Sequence, residues 1–163
     1  MTTTPRTWAS GETPTGAIFN TEIRDQFNSV FDAWTPYTPT WTASTNPNIG
    51  AGVITGRYIK IGRTCHVAIR QSHAGNTTYG AGGYTWSLPF PSAAGVDYLG
   101  VARLVGAAAW NGQTVSTGGS SGFNATFPTS ATDSRSATLA ATVPETLTAA
   151  SVIRLFLTYQ TAS

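Results

Sequence analysis

Charge is scarce in this 163-residue chain: Asp, Glu, Lys and Arg together make up 10% of it, against roughly 25% in an average globular protein. The surface must therefore be covered by Thr, Ser, Asn, Gln and Gly. Cysteine occurs once, at Cys65, which excludes an internal disulfide and agrees with folding that needs no oxidation. No run approaches the roughly 18 apolar residues of a spanning helix, so no membrane insertion is expected. The opening Met1-Thr2-Thr3-Thr4-Pro5 has no apolar core of a secretory leader, which points to synthesis and retention in the cytoplasm.

Basic clusters and catalytic constellations are also missing from the linear sequence. Residues 1–35 carry two basic and four acidic groups, net −2, and residues 36–163 carry seven and three, net +4. With Arg57, Lys60, Arg63 and Arg70 read as solvated strand and turn positions around a hairpin, the chain offers a poor phosphate surface, and no nucleic acid partner is expected. There is no nucleophile elbow, phosphate-binding loop or paired zinc motif. A glycosidase needs two carboxylates flanking one bond, and the second part of the chain supplies only Asp97, Asp133 and Glu145. Cys65 and His66 are neighbours on an expected strand and point to opposite faces, so they make no pair, and His73 reads as a turn or surface histidine. The chain is therefore read as non-enzymatic, without cofactor or metal ligands.

What is present changes character near residue 35. From Thr15 to Trp34 the apolar residues Phe19, Ile23, Phe27, Val30 and Trp34 recur at steps of three or four, which places them on one face of a helix of about five turns. Thr15 is positioned to cap it, and Pro36 lies just beyond its end. A lone helix of this length draws its stability from packing. Its stripe either lies on the same molecule, or serves self-association or docking to a larger assembly; the second reading is preferred, and the steps are close to a coiled-coil seam without the sustained heptads of a long one.

From Tyr37 onward the pattern is β. Val53 to Ile61 and Thr64 to Gln71 form a hairpin about Gly62-Arg63, in which Cys65, Val67 and Ile69 alternate with His66, Ala68 and Arg70, so that one face is core and the other exposed. Further strands are expected at Tyr84–Leu88, Tyr98–Ala108, Gly122–Phe127, Ala137–Val143 and Val152–Tyr159, separated by Gly-, Ser- and Pro-rich turns, and Tyr37–Thr42 reads as an edge strand. About eight short strands without a second helix predict a mainly β fold, a β-sandwich or jelly-roll-like head over 36–163, preceded by one N-terminal amphipathic α-helix in an attachment segment over 1–35. Binding chemistry is expected from aromatic rings beside Gly- and Ser-rich segments, where a ring face stacks on a sugar. Tyr79, Trp110 and Tyr84 are the candidates, while Trp41 and Trp86 read as core.

The stretch from Pro5 to Glu12, followed by Phe19-Asn20-Thr21-Glu22-Ile23-Arg24-Asp25-Gln26-Phe27-Asn28, resembles the N-terminal signature of a group of minor tail proteins of tailed bacteriophages. Tyr37-Thr38-Pro39-Thr40-Trp41, Gly52 to Tyr58 and Gly62 to Val67 are similar to the start of the β domain in that group. The likeness covers roughly the first 70 residues. It implies a structural virion protein of a tail tip or short tail fibre, assembled in the host cytoplasm and taking part in host adsorption and receptor binding. It further implies a homotrimer with Phe19, Ile23, Phe27, Val30 and Trp34 around the threefold axis, docking to other tail proteins through the N-terminal segment and touching the host surface with its head, where the aromatic candidates make a cell-surface glycan the expected partner. The chain is too short for a long shaft and would sit close to the tail body. The alternatives are a free, lectin-like carbohydrate-binding module, which would be a monomer, and a purely structural tail component.

Overall fold

Alternating β-branched and polar residues make β3 (Val53–Ile61) and β4 (Thr64–Ser72) a hairpin whose register runs from Ile61↔Thr64 to Val53↔Ser72. Gly62 has φ +60° while Arg63 does not enter the positive region, which is the II′ turn that matches the twist of paired strands. The computed structural model describes residues 7–162, so Pro5 and Arg6 of the front motif lie outside the described residues.

Eight further strands follow the same chemistry: β1 (Thr35–Tyr37), β2 (Trp41–Thr42), β5 (Thr85–Ser87), β6 (Tyr98–Val105), β7 (Ala109–Ser116), β8 (Gly122–Pro128), β9 (Ser136–Thr138) and β10 (Val152–Gln160). All pairs are antiparallel, in the order β1-β3-β4-β10-β6-β7-β8-β5-β2, with β9 beside β8. The sheet curls into a β-sandwich-like head. Ala109–Ser116 is a full strand that the sequence reading missed, because Trp110-Asn111-Gly112-Gln113 has little apolar alternation. Conversely, the expected Ala137–Val143 strand shrinks to three residues.

The last strand inserts between the β3–β4 hairpin and the β6–β7–β8 meander. Its inward side chains Ile153, Leu155, Leu157 and Tyr159 are buried beside Cys65, Val67, Ile69, Ala102 and Leu104. Phe123, Ala125, Phe127, Trp86 and Trp41 complete the core from the other strands. Burial of each large apolar side chain contributes about 1.5–3 kcal/mol.

The two ends of the strand order, β1 and β2, are consecutive in the chain. Across residues 38–40 the chain passes from the β3 edge to the β5 edge, with Thr40 N donating to Ser87 Oγ at 2.9 Å and Ser87 N to Thr40 O at 3.1 Å. Gly56 makes room for this crossing, since a Cβ there would stand 2.5 Å from Tyr37 Cε1 and 2.8 Å from Pro39 Cγ.

The N-terminal helix runs through α1 (Gly16–Phe19), a π-helical turn (Asn20–Arg24) and α2 (Asp25–Phe31). Thr15 Oγ1 accepts from Ile18 N at 3.3 Å, as its capping role requires. In an α-helix a four-residue step overshoots one turn by about 40°, and the wider turn absorbs that drift, keeping Phe19, Ile23 and Phe27 in line. The helix is shorter than predicted: Asp32 is already extended at ψ 145°, and Thr35, Pro36 and Tyr37 pair with β3. Trp34 is therefore not a helix residue, and its ring lies 6.5 Å from that of Phe156 on β10. No helix among the described residues is long and apolar enough to cross a membrane.

Candidate functional site

The outward faces of β3, β4, β10, β6 and β7 bring together side chains that are far apart in sequence. Pairing sets Thr55 opposite Arg70, Arg70 opposite Arg154, Arg154 opposite Arg103, and Arg103 opposite Asn111. Three arginines thus stand abreast on neighbouring strands, spanning about 10 Å at the usual interstrand spacing. Two residues along, the next outward row is Arg57, Ala68, Phe156, Val101 and Gln113. Both rows contribute to an open groove of about 720 Å³ lined by all four arginines.

The four guanidinium groups are solvent-exposed and none is ion-paired with a carboxylate among the described residues. This assembly corrects the reading that the head lacks a basic cluster. Arg103 and Arg154 lie far from the Arg57–Arg70 hairpin in sequence, and only the insertion of β10 between β4 and β6 joins them. The alternation of Arg154 and Phe156 with Leu155 and Leu157 puts the two pairs on opposite faces of the strand, and burial shows Arg154 and Phe156 on the outer one.

Beside the arginines lies an apolar strip. Phe156 is 38% exposed, Val101 64% and Leu99 63%. Trp34 covers one side of Phe156, and His66 stacks on it with ring centroids 6.4 Å apart and Nδ1 2.9 Å from Thr158 Oγ1.

The aromatic candidates are placed differently from one another. Tyr84 is a correction: its ring is fully buried and its hydroxyl donates to Tyr79 O at 2.8 Å, so it presents no face to a sugar. Burial pushes its phenol well above the usual range. Tyr79 is half-buried, with its ring edge-on to His73 at 5.2 Å. Trp110 is half-buried, and its indole N–H donates to Glu145 Oε2 at 2.8 Å. No ring contact joins Trp110 to Tyr79 among the described residues, so the three do not form one stacking platform.

A second groove, of about 420 Å³, lies on the outer side of β5, β7, β8 and β9 and is lined mainly by Thr85, Thr117, Ser120, Asn124, Thr126 and Thr138. Its groups are neutral, and Thr85 Oγ1 already donates to Asn124 Oδ1 at 3.2 Å.

Cys65 and His66 point to opposite faces, as their spacing requires. Cys65 is fully buried, and burial pushes its thiol up, which suppresses the thiolate. His73 lies inside, with Nε2 2.9 Å from Gln71 Nε2, so the two histidines do not meet. The three carboxylates of the head are engaged in loops. Asp97 accepts from Gly118 N, Glu145 accepts from Ala107 N, Ala108 N and Trp110 Nε1, and Asp133 pairs with Arg135 at 2.6 Å. The Arg135 guanidinium brings the Asp133 carboxyl down to about 2. Among the described residues no three His, Cys, Asp or Glu side chains gather where they could hold a metal ion.

Among the described side chains of the helix, the half-buried ones are Ile18, Glu22, Asp25 and Gln26, and α2 lies against β3. The apolar stripe faces away, with Phe19 46%, Ile23 44%, Phe27 63%, Val30 48% and Phe31 81% exposed. Phe31 extends the stripe beyond the residues read from the sequence.

Comparison with known proteins gives no matching family, no matching curated protein and no matching solved structure.

Proposed function

We propose that the chain is a structural, non-enzymatic component of a bacteriophage tail tip or short tail fibre, assembled in the host cytoplasm and incorporated into the virion. Its N-terminal helix joins it to further copies, as a homotrimer, and the front segment docks on other tail proteins. The β head is then held outward for adsorption to a host surface glycan. The observation that carries this reading is the outward apolar stripe of Phe19, Ile23, Phe27, Val30 and Phe31, which the head leaves uncovered. Covering one such side chain contributes about 1.5–3 kcal/mol, so a bundle of three helices supplies the packing that a single short helix lacks. The likeness of the front segment to minor tail proteins supports the setting.

The test is the molar mass of the purified full-length chain by light scattering. A mass near three chains of 17.1 kDa is expected. A stable 17.1 kDa species at micromolar concentration would count against self-assembly and favour a lone carbohydrate-binding module.

A further inference from the structure

We propose that the arginine-lined groove on the outer face of β3, β4, β10, β6 and β7 is a binding site for an acidic polysaccharide. Its ligand is a chain of sugars bearing carboxylate, sulfate or phosphate groups. This site is separate from Tyr79 and Trp110, neither of which lines the groove.

The arginines of the groove are arranged unfavourably when nothing is bound to them. Arg70, Arg154 and Arg103 are directly opposed on adjacent strands, and Arg57 lies diagonally from Arg70 on the same face. Like charges placed directly opposite in a sheet are destabilising. These four are most of the seven basic residues of the 36–163 segment, yet none is relieved by a carboxylate among the described residues. A row of anions on a bound chain relieves the repulsion and accepts paired guanidinium hydrogen bonds.

The rest of the groove selects the kind of polymer. Thr55 and Asn111 place a hydroxyl and an amide at the two ends of the arginine row, where they meet sugar hydroxyls. Ala68 and Val101, beside the exposed edge of Phe156, form an apolar strip suited to the C–H face of a sugar ring. Single-stranded nucleic acid fits less well, because it is gripped by successive aromatic platforms. Here Phe156 is the one ring among the groove residues, and Trp34 and His66 already pack on it.

The experiment titrates the full-length chain at low salt with a galacturonate hexamer and a sulfated heparin hexasaccharide. A neutral dextran hexamer, oligo-dT and poly-glutamate serve as comparisons. At least one acidic saccharide is expected to bind more tightly than every comparison ligand, with an affinity that falls as salt rises. Arg154→Gln and Arg103→Gln should each weaken that binding about tenfold or more, while their unfolding midpoints stay equal to or above that of the parent. Arg135→Gln, outside the groove, should leave binding unchanged. Absence of binding by either acidic saccharide, equal binding of dextran, tighter binding of oligo-dT or poly-glutamate, or undiminished binding by the two groove variants would each overturn the proposal. A fall in the unfolding midpoint of both groove variants would assign the arginines to structure instead.

Discussion

The indole N–H of Trp86 donates to Oε1 of Gln71 at 2.8 Å, and neither side chain has any solvent exposure. This bond ties β5 to β4 across the core. It also orients the Gln71 amide, whose NH₂ then faces His73 Nε2 at 2.9 Å. Replacing Gln71 by Met keeps the volume but leaves an indole N–H and an imidazole nitrogen unpaired. Each orphaned buried group costs about 1–3 kcal/mol, so Gln71→Met should lower stability by about 2–4 kcal/mol in urea unfolding. A loss below about 0.5 kcal/mol would show that the network contributes little.

Because the Gln71 NH₂ can only donate, His73 Nε2 must accept and the ring must be neutral. Burial lowers the His73 pKa from its ordinary 6.5, partly offset by a backbone contact with Ser151. The folded state therefore binds fewer protons than the unfolded state below pH 6.5, and the contribution of His73 is complete above that value. It is lost as pH falls from there through the lowered folded value. Thermal midpoints should drop between about pH 7 and pH 5, and His73→Gln should flatten that part of the profile. An unchanged slope in the variant would place the titration elsewhere.

Glu145 holds the turn between β6 and β7 from outside the sheet, accepting from Ala107 N at 2.9 Å, Ala108 N at 3.1 Å and Trp110 Nε1 at 2.8 Å. Gly106 permits this approach, since a Cβ there would collide with Glu145 Oε1. Hydrogen bonds to a charged group are worth about 1.5–3 kcal/mol where they are well formed. Glu145→Ala should cost about 1–3 kcal/mol and change the tryptophan emission as Trp110 loses its acceptor. Retained stability with unaltered emission would remove Glu145 from this role.

How much of this was legible in the sequence depends on the range of the contacts. The β3–β4 hairpin, its Gly62 turn and the inward set Cys65, Val67, Ile69, Ile153, Leu155 and Leu157 follow from two-residue periodicity and turn chemistry, which are local. β7 was missed because Asn111, Gly112 and Gln113 owe their strand to pairing with β6 rather than to propensity. The Arg70–Arg154–Arg103 row was invisible for the same reason. It exists only because β10 lies between β4 and β6, and no local pattern gives strand order. Tyr84 follows Gly82 and Gly83 at the start of an expected strand, where the sequence does not tell which way its ring turns; it turns inward, into the Trp41–Tyr84–Trp86 cluster, with Trp41 4.9 Å and Trp86 6.1 Å away.

The helix stripe was legible as a periodicity, but its direction was not. Glu22, Asp25 and Gln26 are the half-buried side, so Ile23 and Phe27 are left to solvent although they are among the most apolar residues of the segment. If these residues join copies, a charge introduced there must act on assembly rather than on the head, whose core shares no residue with the stripe. Ile23→Asp and Phe27→Asp should therefore shift the light-scattering mass toward 17.1 kDa. The unfolding transition of the head should stay within about 0.5 kcal/mol, as for other exposed sites. Ala substitutions at the same positions should give intermediate dissociation, because they remove apolar area without burying a charge. If the Asp variants unfold the head instead, the stripe packs within the molecule, and the assembly role of the helix is lost.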